Sequence, residues 1–483
     1  MLRDMGRRLA ITVILSGIIL GGMSISLANM PSSPPAKRPK STVKKDAALP
    51  GCVFFLFNQI FDMMLWTIKE VLPMNSFTDK LSKYAKLVAE VGVNVQKGQK
   101  VVINASTEVR DFARLLVKSA YQIGAKNVTV RWQDDEVTRL KYELAPAEAF
   151  EEFPEWEAKG LETLAKEGAA FISIVSSSPD LLKGIDSKKI ATQQKAAGKA
   201  MHTYRQMIQS DKVSWTVVAA PSPAWAKKVF PDADEKTAMQ KLWNEIFKTT
   251  RVDREDPVQA WKDHDQTLRD KVSVLNDKHY QALHYQAKGT DLTIELPEKH
   301  LWVGAGSTNE NGIEFMANMP TEEVFTAPKK DGVNGTVSST KPLSYGGNLI
   351  DGFQLTFENG RITDVKAEQG EEILKELIET DEGSHYLGEI ALVAHDSPIS
   401  KSNILFYNTL FDENASNHLA IGSAYAFNIE GGKQMSREEL AKEGLNESIT
   451  HVDFMIGSGE MNIDGITADG KREPIFRNGN WAI

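Results

Sequence analysis

Near the C-terminus, the stretch ESITHVDFMIGS places two chemically capable side chains, His451 and Asp453, inside an apolar run. In a β-strand, residues i and i+2 project from the same face, so these two side chains would lie side by side. Val452, Phe454 and Ile456 would then form the opposite, apolar face. Because a carboxylate is rarely buried without a cation or hydrogen-bond donor, Asp453 needs a partner such as an arginine, its neighbouring histidine or a metal ion.

Three further segments carry acids or histidines where the surrounding pattern predicts burial. The polar residues of these segments are Glu322 and Glu323, then Glu389, and then Glu413, His418 and Tyr425. We predict a helix starting near Asn414 that contains His418 and carries Tyr425 two turns later on the same face.

Each of these residues also has an ordinary structural explanation. Glu322 and Glu323 could form a solvated turn, and Glu389 could be the polar start of a strand. Asp412 or Asn414 could cap the helix, which would leave an acid in its first turn, where the helix dipole favours it. A single histidine is more often a core or surface residue than a ligand.

As one set, these residues favour a metal centre. Four carboxylates neutralise the charge of two divalent cations, and two imidazoles add nitrogen donors; the set is Glu323, Glu389, Glu413, Asp453, His418 and His451. The sequence contains one cysteine, Cys52, so thiolate ligation is excluded and the oxygen and nitrogen donors suit Zn²⁺, Co²⁺ or Mn²⁺. Two such ions about 3.5–4 Å apart can activate water and polarise a carbonyl group.

Four longer motifs carry a family resemblance: NMPTEEVFTAP, GEIALV followed by DSPIS, LFYNTLFDENASNHLAIGSAY, and HVDFMIGS. From about Met74 to its end, the chain closely resembles the thermophilic aminopeptidase family, the aminopeptidase T-like dinuclear metallopeptidases. The resemblance implies a homodimer of two-domain subunits whose C-terminal domain binds two divalent metal ions. It also implies the roles of individual residues: metal ligation by Glu323, Glu389, His418, His451 and Asp453, with Glu413 as a sixth ligand, and catalysis by Tyr425.

The expected function is metal-dependent removal of N-terminal residues from peptides with a free α-amino group. Water activated by the two metals would attack the carbonyl carbon, and the Tyr425 hydroxyl would stabilise the oxyanion. Glu389 or Glu322 would carry the proton to the leaving amine. Two alternatives stay open: an amidase or esterase acting on substrates without a free amine, and a non-enzymatic metal- or peptide-binding protein.

The order of predicted elements indicates an α/β fold class. Helical stretches separate apolar strands predicted at 100–106, 127–133, 169–177 and 213–221, which is typical of a mostly parallel sheet with helices on its faces. No Gly-x-Gly-x-x-Gly or Walker-type loop follows these strands, so nucleotide binding has no support. Short strands and fewer helices follow, so we predict an N-terminal α/β domain at 74–285 and an α+β catalytic, metal-binding domain at 286–483.

Charge separates the first 73 residues from the rest. They carry nine Lys and Arg against four Asp and Glu, whereas the whole chain has a net charge of −9. The acidic body argues against a nucleic-acid partner, because phosphate binding needs a concentrated basic surface.

Residues 1–73 form a leader or linker with two interpretations. A basic start, an apolar stretch and a small-residue ending resemble a signal peptide, which would export the protein or tether it to a membrane through residues 1–28. Alternatively, this segment lies upstream of a true start at Met74, where an amphipathic helix begins. The second interpretation predicts a cytoplasmic protein.

Overall fold

The first half of the chain alternates helices and strands. The computed structural model describes residues 77–345 and 348–483. The helices of this half are α1 (Phe77–Leu87), α2 (Arg110–Ile123), α3 (Asp135–Leu144), α4 (Glu155–Lys166), α5 (Ser187–Ala200), α6 (His202–Gln209), α7 (Pro223–Val229), α8 (Glu235–Thr249) and α9 (Pro257–Lys278). The strands are β1 (Lys100–Ser106), β2 (Asn127–Gln133), β3 (Ala170–Val175) and β4 (Trp215–Ala219). Two of the four predicted strands have the expected bounds, and the other two are shorter by one or two residues at each end.

These four strands form a parallel sheet in which β1, β3 and β4 are mostly buried, whereas the edge strand β2 is largely exposed. Its order is β10-β4-β3-β1-β2, where β10 (Asn318–Met319) comes from the second half of the chain. Along β1, Val101 and Ile103 pack into one hydrophobic cluster and Val102 packs into another on the opposite face. Apolar residues on both faces are expected when helices cover a parallel sheet from both sides.

The strands of the second half are mostly antiparallel, apart from β10, which pairs in parallel with β4. They are β5 (Ala282–Ala287), β6 (Thr290–Glu295), β7 (Val303–Gly304), β8 (Ser307–Thr308), β9 (Glu314–Phe315), β10, β11 (Glu323–Thr326), β12 (Val333–Ser338), β13 (Leu343–Tyr345), β14 (Asn348–Ile350), β15 (Gln354–Glu358), β16 (Arg361–Lys366), β17 (Leu387–Val393), β18 (His418–Gly422), β19 (His451–Met455), β20 (Asn462–Ile466), β21 (Arg472–Arg477) and β22 (Asn480–Trp481). The helices are α10 (Glu371–Ile378), α11 (Pro398–Ser402), α12 (Thr409–Asp412) and α13 (Arg437–Lys442). Asn359 and Gly360, both at positive φ, join β15 to β16 in a hairpin.

Two sheets enclose the core of this half. One has eight strands in the order β16-β15-β12-β6-β5-β20-β21-β22, and the other has five in the order β19-β18-β17-β11-β7. We call the second one the ligand sheet. Both contribute to one hydrophobic cluster, with Leu283 and Ile294 from the larger sheet and Ile390 and Leu419 from the ligand sheet.

The predicted fold class is confirmed, since a parallel α/β part is followed by an α+β part. The division between residues 285 and 286 remains a proposal. Strand β10 lies beyond that division yet pairs with β4, so hydrogen bonds of the parallel sheet cross it. Within the two described stretches, no helix has the length and apolar character needed to span a membrane. The leader and start-site predictions concern residues outside those stretches.

Candidate metal centre

Successive side chains along each strand of the ligand sheet point to opposite faces, which gives the sheet one apolar face and one polar face. Val324, Ile390, Leu419, Ile421 and Phe454 belong to the hydrophobic cluster beneath the sheet. Residues of the other parity in the same four strands point away from that cluster, and they include Glu323 in β11, Glu389 in β17, His418 in β18, and His451 and Asp453 in β19. The polar residues of the HVDFM stretch therefore lie on a strand, as the alternation predicts.

Small residues make room for the longer side chains on this face. Ala420 lies between Glu389 on one neighbouring strand and Asp453 on the other. Likewise, Ala391 lies opposite His418. Methyl side chains at these positions allow carboxylates and imidazoles from different strands to approach one another above the sheet.

A β-bulge in β17 directs Glu389 toward the polar face. Leu387 pairs with Ile421 and Glu389 pairs with Ala420, so Gly388 is the extra residue. Without the bulge, Leu387 and Glu389 would share a face, whereas Leu387 packs into the core. A Cβ atom at position 388 would clash with the carbonyl oxygens of Gly422 and Ser423, so only glycine fits there.

Glu323, Glu389 and His418 form a first group with ligand spacing. The Nε2 atom of His418 lies 3.3 Å from Oε2 of Glu323 and 3.5 Å from Oε1 of Glu389. One donor atom from each residue lies within 4.8 Å of the others, and all three residues are buried.

Glu389, His451 and Asp453 form a second group. The Nε2 atom of His451 lies 3.4 Å from Oε2 of Glu389 and 3.5 Å from Oδ1 of Asp453. Glu389 is therefore shared, with one carboxylate oxygen facing each histidine. A carboxylate placed in this way can bridge two cations.

Hydrogen bonds that the imidazoles donate to backbone carbonyl oxygens orient both rings. Nδ1 of His418 lies 3.1 Å from the carbonyl oxygen of Ser416, and Nδ1 of His451 lies 2.7 Å from that of Ser423. Because a carbonyl only accepts, each Nδ1 carries the hydrogen when the ring is neutral, which leaves the Nε2 lone pair free for a metal.

The candidate ligands of the two groups, together with Glu413, form what we call the metal cluster. Its four carboxylates bring negative charge together in the protein interior. Burial raises the pKa of Glu323, and burial together with the neighbouring Glu323 and Asp453 carboxylates raises that of Glu413 well above its usual value. Oδ1 of Asp453 is buried and accepts no hydrogen bond from any residue within the described stretches. Nor does any lysine or arginine of those stretches form an ion pair with the cluster's four carboxylates.

The two histidines are the cations nearest to these acids. Although burial alone would raise it, hydrogen bonds from His418 and His451 lower the pKa of Glu389 to about 2. Burial alone would lower the pKa of His451, but the adjacent carboxylates of Asp453 and Glu389 raise it to about 11. Four buried carboxylates against two imidazoles leave a charge deficit that divalent cations would fill.

Glu413 lies beside the two groups rather than in either of them. It begins a single 3₁₀ turn, Glu413–Ala415, directly after α12. Its Oε1 accepts a hydrogen bond of 3.3 Å from Asn414, and it lines the same cavity as Glu323, Glu389 and Asp453.

The predicted helix around His418 is wrong. Helix α12 ends at Asp412, and His418 begins strand β18. Asn408 caps α12, while the buried Asp412 accepts hydrogen bonds from the backbone of Phe406 and Asn408. The short run NHLAIG has too few residues to separate helical from strand periodicity, and pairing with β17 and β19 selects the strand.

Tyr425 reaches the cluster from a loop instead of a shared helix face. Its ring stacks on Phe427 at a centroid distance of 5.0 Å and lies 4.8 Å from the ring of His451. Burial, followed by the nearby carboxylates, raises the pKa of Tyr425, so its hydroxyl stays protonated at neutral pH. A protonated hydroxyl can donate a hydrogen bond.

Glu322 is not a solvated turn residue. It is buried, and its carboxylate forms an ion pair of 2.8 Å with Arg251. Glu322 does not line the cavity next to the cluster, whereas Glu323 does. The sequence pattern identified the paired acids but did not identify Arg251, whose contact lies 71 residues away along the chain.

Two cavities adjoin the cluster. One, of about 810 Å³, is lined by Glu323, Glu389, Glu413, His451 and Asp453. The other, of about 880 Å³, shares His451, Tyr425, Phe427 and Lys433 with the first. Together they give the polar face of the ligand sheet room for a peptide-sized molecule.

Carboxylate and imidazole donors facing such a cavity are the arrangement of a metal-dependent hydrolase. Comparison with known proteins supports that class: residues 77–481 match the family model described as thermophilic metalloprotease (M29). The chain belongs to this family of metal-dependent peptidases, which confirms the resemblance seen in its motifs.

Its relatives cover most of the chain. It is 78% identical over 410 residues to aminopeptidase AmpS of Bacillus subtilis, covering 85% of this chain and 100% of that protein. It is 53% identical to aminopeptidase 2 of Geobacillus stearothermophilus, covering 85% of this chain and 99% of that protein. Among solved structures, wild-type AmpT from Thermus thermophilus matches with a TM-score of 0.80 and 42% identity, covering 84% of this chain and 100% of that chain.

A separate similarity involves the N-terminal segment. Residues 2–42 match a family model for uncharacterized YkpC-like proteins. Over 34 residues, 7% of this chain, the segment is 85% identical to the uncharacterized protein YkpC of Bacillus subtilis and covers 77% of that protein. Residues 2–42 and 77–481 thus match two different families.

Proposed function

We propose that this protein is an aminopeptidase that removes N-terminal residues from peptides at a centre of two divalent metal ions. The observation that carries the proposal is the position of Glu389, whose two carboxylate oxygens face His418 and His451 on opposite sides. Two ligand groups that share one carboxylate are what a pair of closely spaced cations requires.

The residues fit such a pair of cations. Glu323, Glu389 and His418 would hold one ion, and Glu389, His451 and Asp453 would hold the other. Glu413 would complete the set as an additional oxygen donor. These oxygen and nitrogen donors suit Zn²⁺, Co²⁺ or Mn²⁺.

In the proposed reaction, bound divalent cations lower the pKa of water and polarise the scissile carbonyl. The protonated Tyr425 hydroxyl, which forms no hydrogen bond with a residue of the described stretches, donates to the developing oxyanion. Of the two acids considered for proton transfer, we choose Glu389, one of whose oxygens would leave its ion to carry a proton from the attacking water to the leaving amine. It lines the cavity, whereas Arg251 engages the carboxylate of Glu322.

Hydrolysis of amino-acid anilides tests this function. We expect leucine and methionine anilides to be cleaved, activity to disappear after chelation, and added Co²⁺ or Zn²⁺ to restore it. N-acetylated anilides should resist cleavage, because a free α-amino group is required.

Other outcomes would favour the alternatives. Equal cleavage of acetylated substrates would indicate an amidase or esterase. Metal binding without any turnover would indicate a non-enzymatic metal- or peptide-binding protein. Activity that survives complete metal removal would contradict the proposal.

We also propose that the protein is a cytoplasmic homodimer that acts on peptides and not on nucleic acid. The homodimer rests on the family resemblance and the location rests on Met74 as the start. Light scattering of the purified protein and cell fractionation would test these two statements separately.

A further inference from the structure

Glu322, the residue immediately before the ligand Glu323, belongs to a buried network outside the metal cluster. Nη2 of Arg251 donates to its Oε2 at 3.1 Å and lies 2.8 Å from its Oε1. The side chains of Arg251 and Glu322 are 12% and 7% exposed, so solvent screens this ion pair weakly.

Arg251 is itself held in place from several directions. Its guanidinium lies 5.3 Å from the ring centre of Trp261, and its Nη1 donates to the carbonyl oxygen of Thr249 at 3.2 Å. Its Nη2 also lies 3.0 Å from Nδ1 of His264.

His264 connects this network to the backbone that leads into β11. Its Nε2 lies 2.8 Å from the carbonyl oxygen of Thr321, which can only accept. The ring therefore carries its hydrogen on Nε2 and accepts from Arg251 at Nδ1. One arginine and one histidine from the first half of the chain thus contact two successive residues before Glu323.

A second contact holds the same segment from the other side. The backbone N–H of Glu322 donates to Oδ1 of Asn414 at 2.7 Å. Nδ2 of Asn414 donates to Leu410 at 3.1 Å and to Oε1 of Glu413 at 3.3 Å. Asn414 therefore links the start of β11 to the turn that carries another carboxylate of the cluster.

We propose that Arg251 and Glu322 are positioning residues that hold the start of β11 so that Glu323 projects into the metal cluster. Arg251 also neutralises Glu322, so that four carboxylates and not five act on the cations. This inference rests on the proposed metal-binding function. Losing Arg251 alone would leave a buried, unpaired carboxylate next to a ligand, which is costlier than losing both partners.

Metal affinity measured by competition with a chelator tests the proposal. We expect Arg251→Met to weaken Co²⁺ binding by about 10–100-fold, because substitution of residues that orient a metal ligand typically has an effect of this size. Adding Glu322→Gln to that variant should restore part of the affinity. Equal binding by Arg251→Met and the wild-type protein, or no recovery in the double variant, would overturn the proposal.

A matched control separates positioning from general stability. Val337 is fully buried in the eight-stranded sheet, away from the cluster, so Val337→Ala should lower the unfolding temperature while Co²⁺ affinity stays at the wild-type level. If Val337→Ala weakens Co²⁺ binding as much as Arg251→Met does, the effect is general destabilisation and the proposal is wrong. If the wild-type protein itself binds no Co²⁺, the proposed function fails before this inference is tested.

Discussion

At the scale of single residues, the site depends on how each carboxylate is partnered. Glu322 and Glu323 are adjacent and both buried, yet one faces a guanidinium and the other faces His418. The sequence shows two acids in a row but not which of them meets a fixed cation. That distinction separates an internal ion pair from a proposed metal ligand.

Tyr425→Phe tests the assigned oxyanion donor. The phenyl ring should keep its stacking on Phe427, so metal content and unfolding temperature should stay at wild-type values. Loss of one oxyanion donor should lower kcat by about 10²–10³-fold. Anilide kinetics and metal analysis of the two proteins provide the measurement, and an unchanged kcat would assign Tyr425 to packing alone.

We expect the buried His300, which lies outside the metal cluster, to make the free energy of unfolding depend on pH. Burial lowers the pKa of His300 to about 4, and its Nδ1 lies 2.8 Å from the carbonyl oxygen of Pro297. The unfolded chain takes up a proton near pH 6.5, whereas the folded one does so only near pH 4. Stability from this residue is therefore complete above about pH 6.5 and is lost progressively as the pH falls toward 4.

His300→Asn removes this titration and keeps a donor for Pro297. We expect the difference in free energy of unfolding between wild type and variant to shrink from pH 7 to pH 4, as measured by urea denaturation of the metal-free proteins. Other titrating groups are common to both proteins, so their contributions cancel. A difference that stays constant across this range would contradict the assignment.

At the scale of secondary-structure elements, two features place the side chains of the site on one face of the sheet. They are the alternation of side chains along each strand and the β-bulge at Gly388. The alternation around His451 and Asp453 predicts a strand with two polar side chains on one face, and the structure has that strand. The bulge at Gly388 could not be predicted, because it depends on the carbonyl groups of Gly422 and Ser423 on the neighbouring strand. Local periodicity contains no information about such contacts.

Gly388→Ala tests the bulge. The added methyl group must displace strand β17 or the Ser423 backbone, so we expect a lower unfolding temperature and lost metal content. Gly160→Ala in α4 is the control, since a Cβ atom there contacts nothing within 4 Å and alanine favours a helix. Full metal content in Gly388→Ala would show that the bulge does not position Glu389.

The success of sequence-based prediction also varies between elements. Strands at 100–106 and 127–133 have the predicted bounds, and both contain β-branched residues, such as Val101 and Val102 in β1 and Val128 and Val130 in β2. His418 was expected in a helix because a run of five residues fits either period, and only its strand partners decide. Arg251 and His264 could not be connected to Glu322 from the sequence, since a tertiary contact brings them together.

At the scale of the whole molecule, the two halves of the chain contact each other next to the candidate metal centre. Strand β10 extends the parallel sheet, and Met316, Met319 and Phe411 pack into the cluster of apolar residues around that sheet. Arg251 contacts the segment before Glu323. Residues of the first half, Arg251 and His264, therefore contact the segment that leads to the proposed ligand Glu323 in the second half.

In the proposed metal centre, Glu389 would be a ligand of both divalent ions on the polar face of the ligand sheet. A crystal structure of the Co²⁺- or Zn²⁺-loaded protein, with anomalous data at the metal edge, tests this claim most directly. We predict two anomalous peaks about 3.5–4 Å apart, with one Glu389 oxygen directed to each, His418 beside one peak and His451 beside the other. A single peak, or two peaks that Glu389 does not contact, would contradict the account.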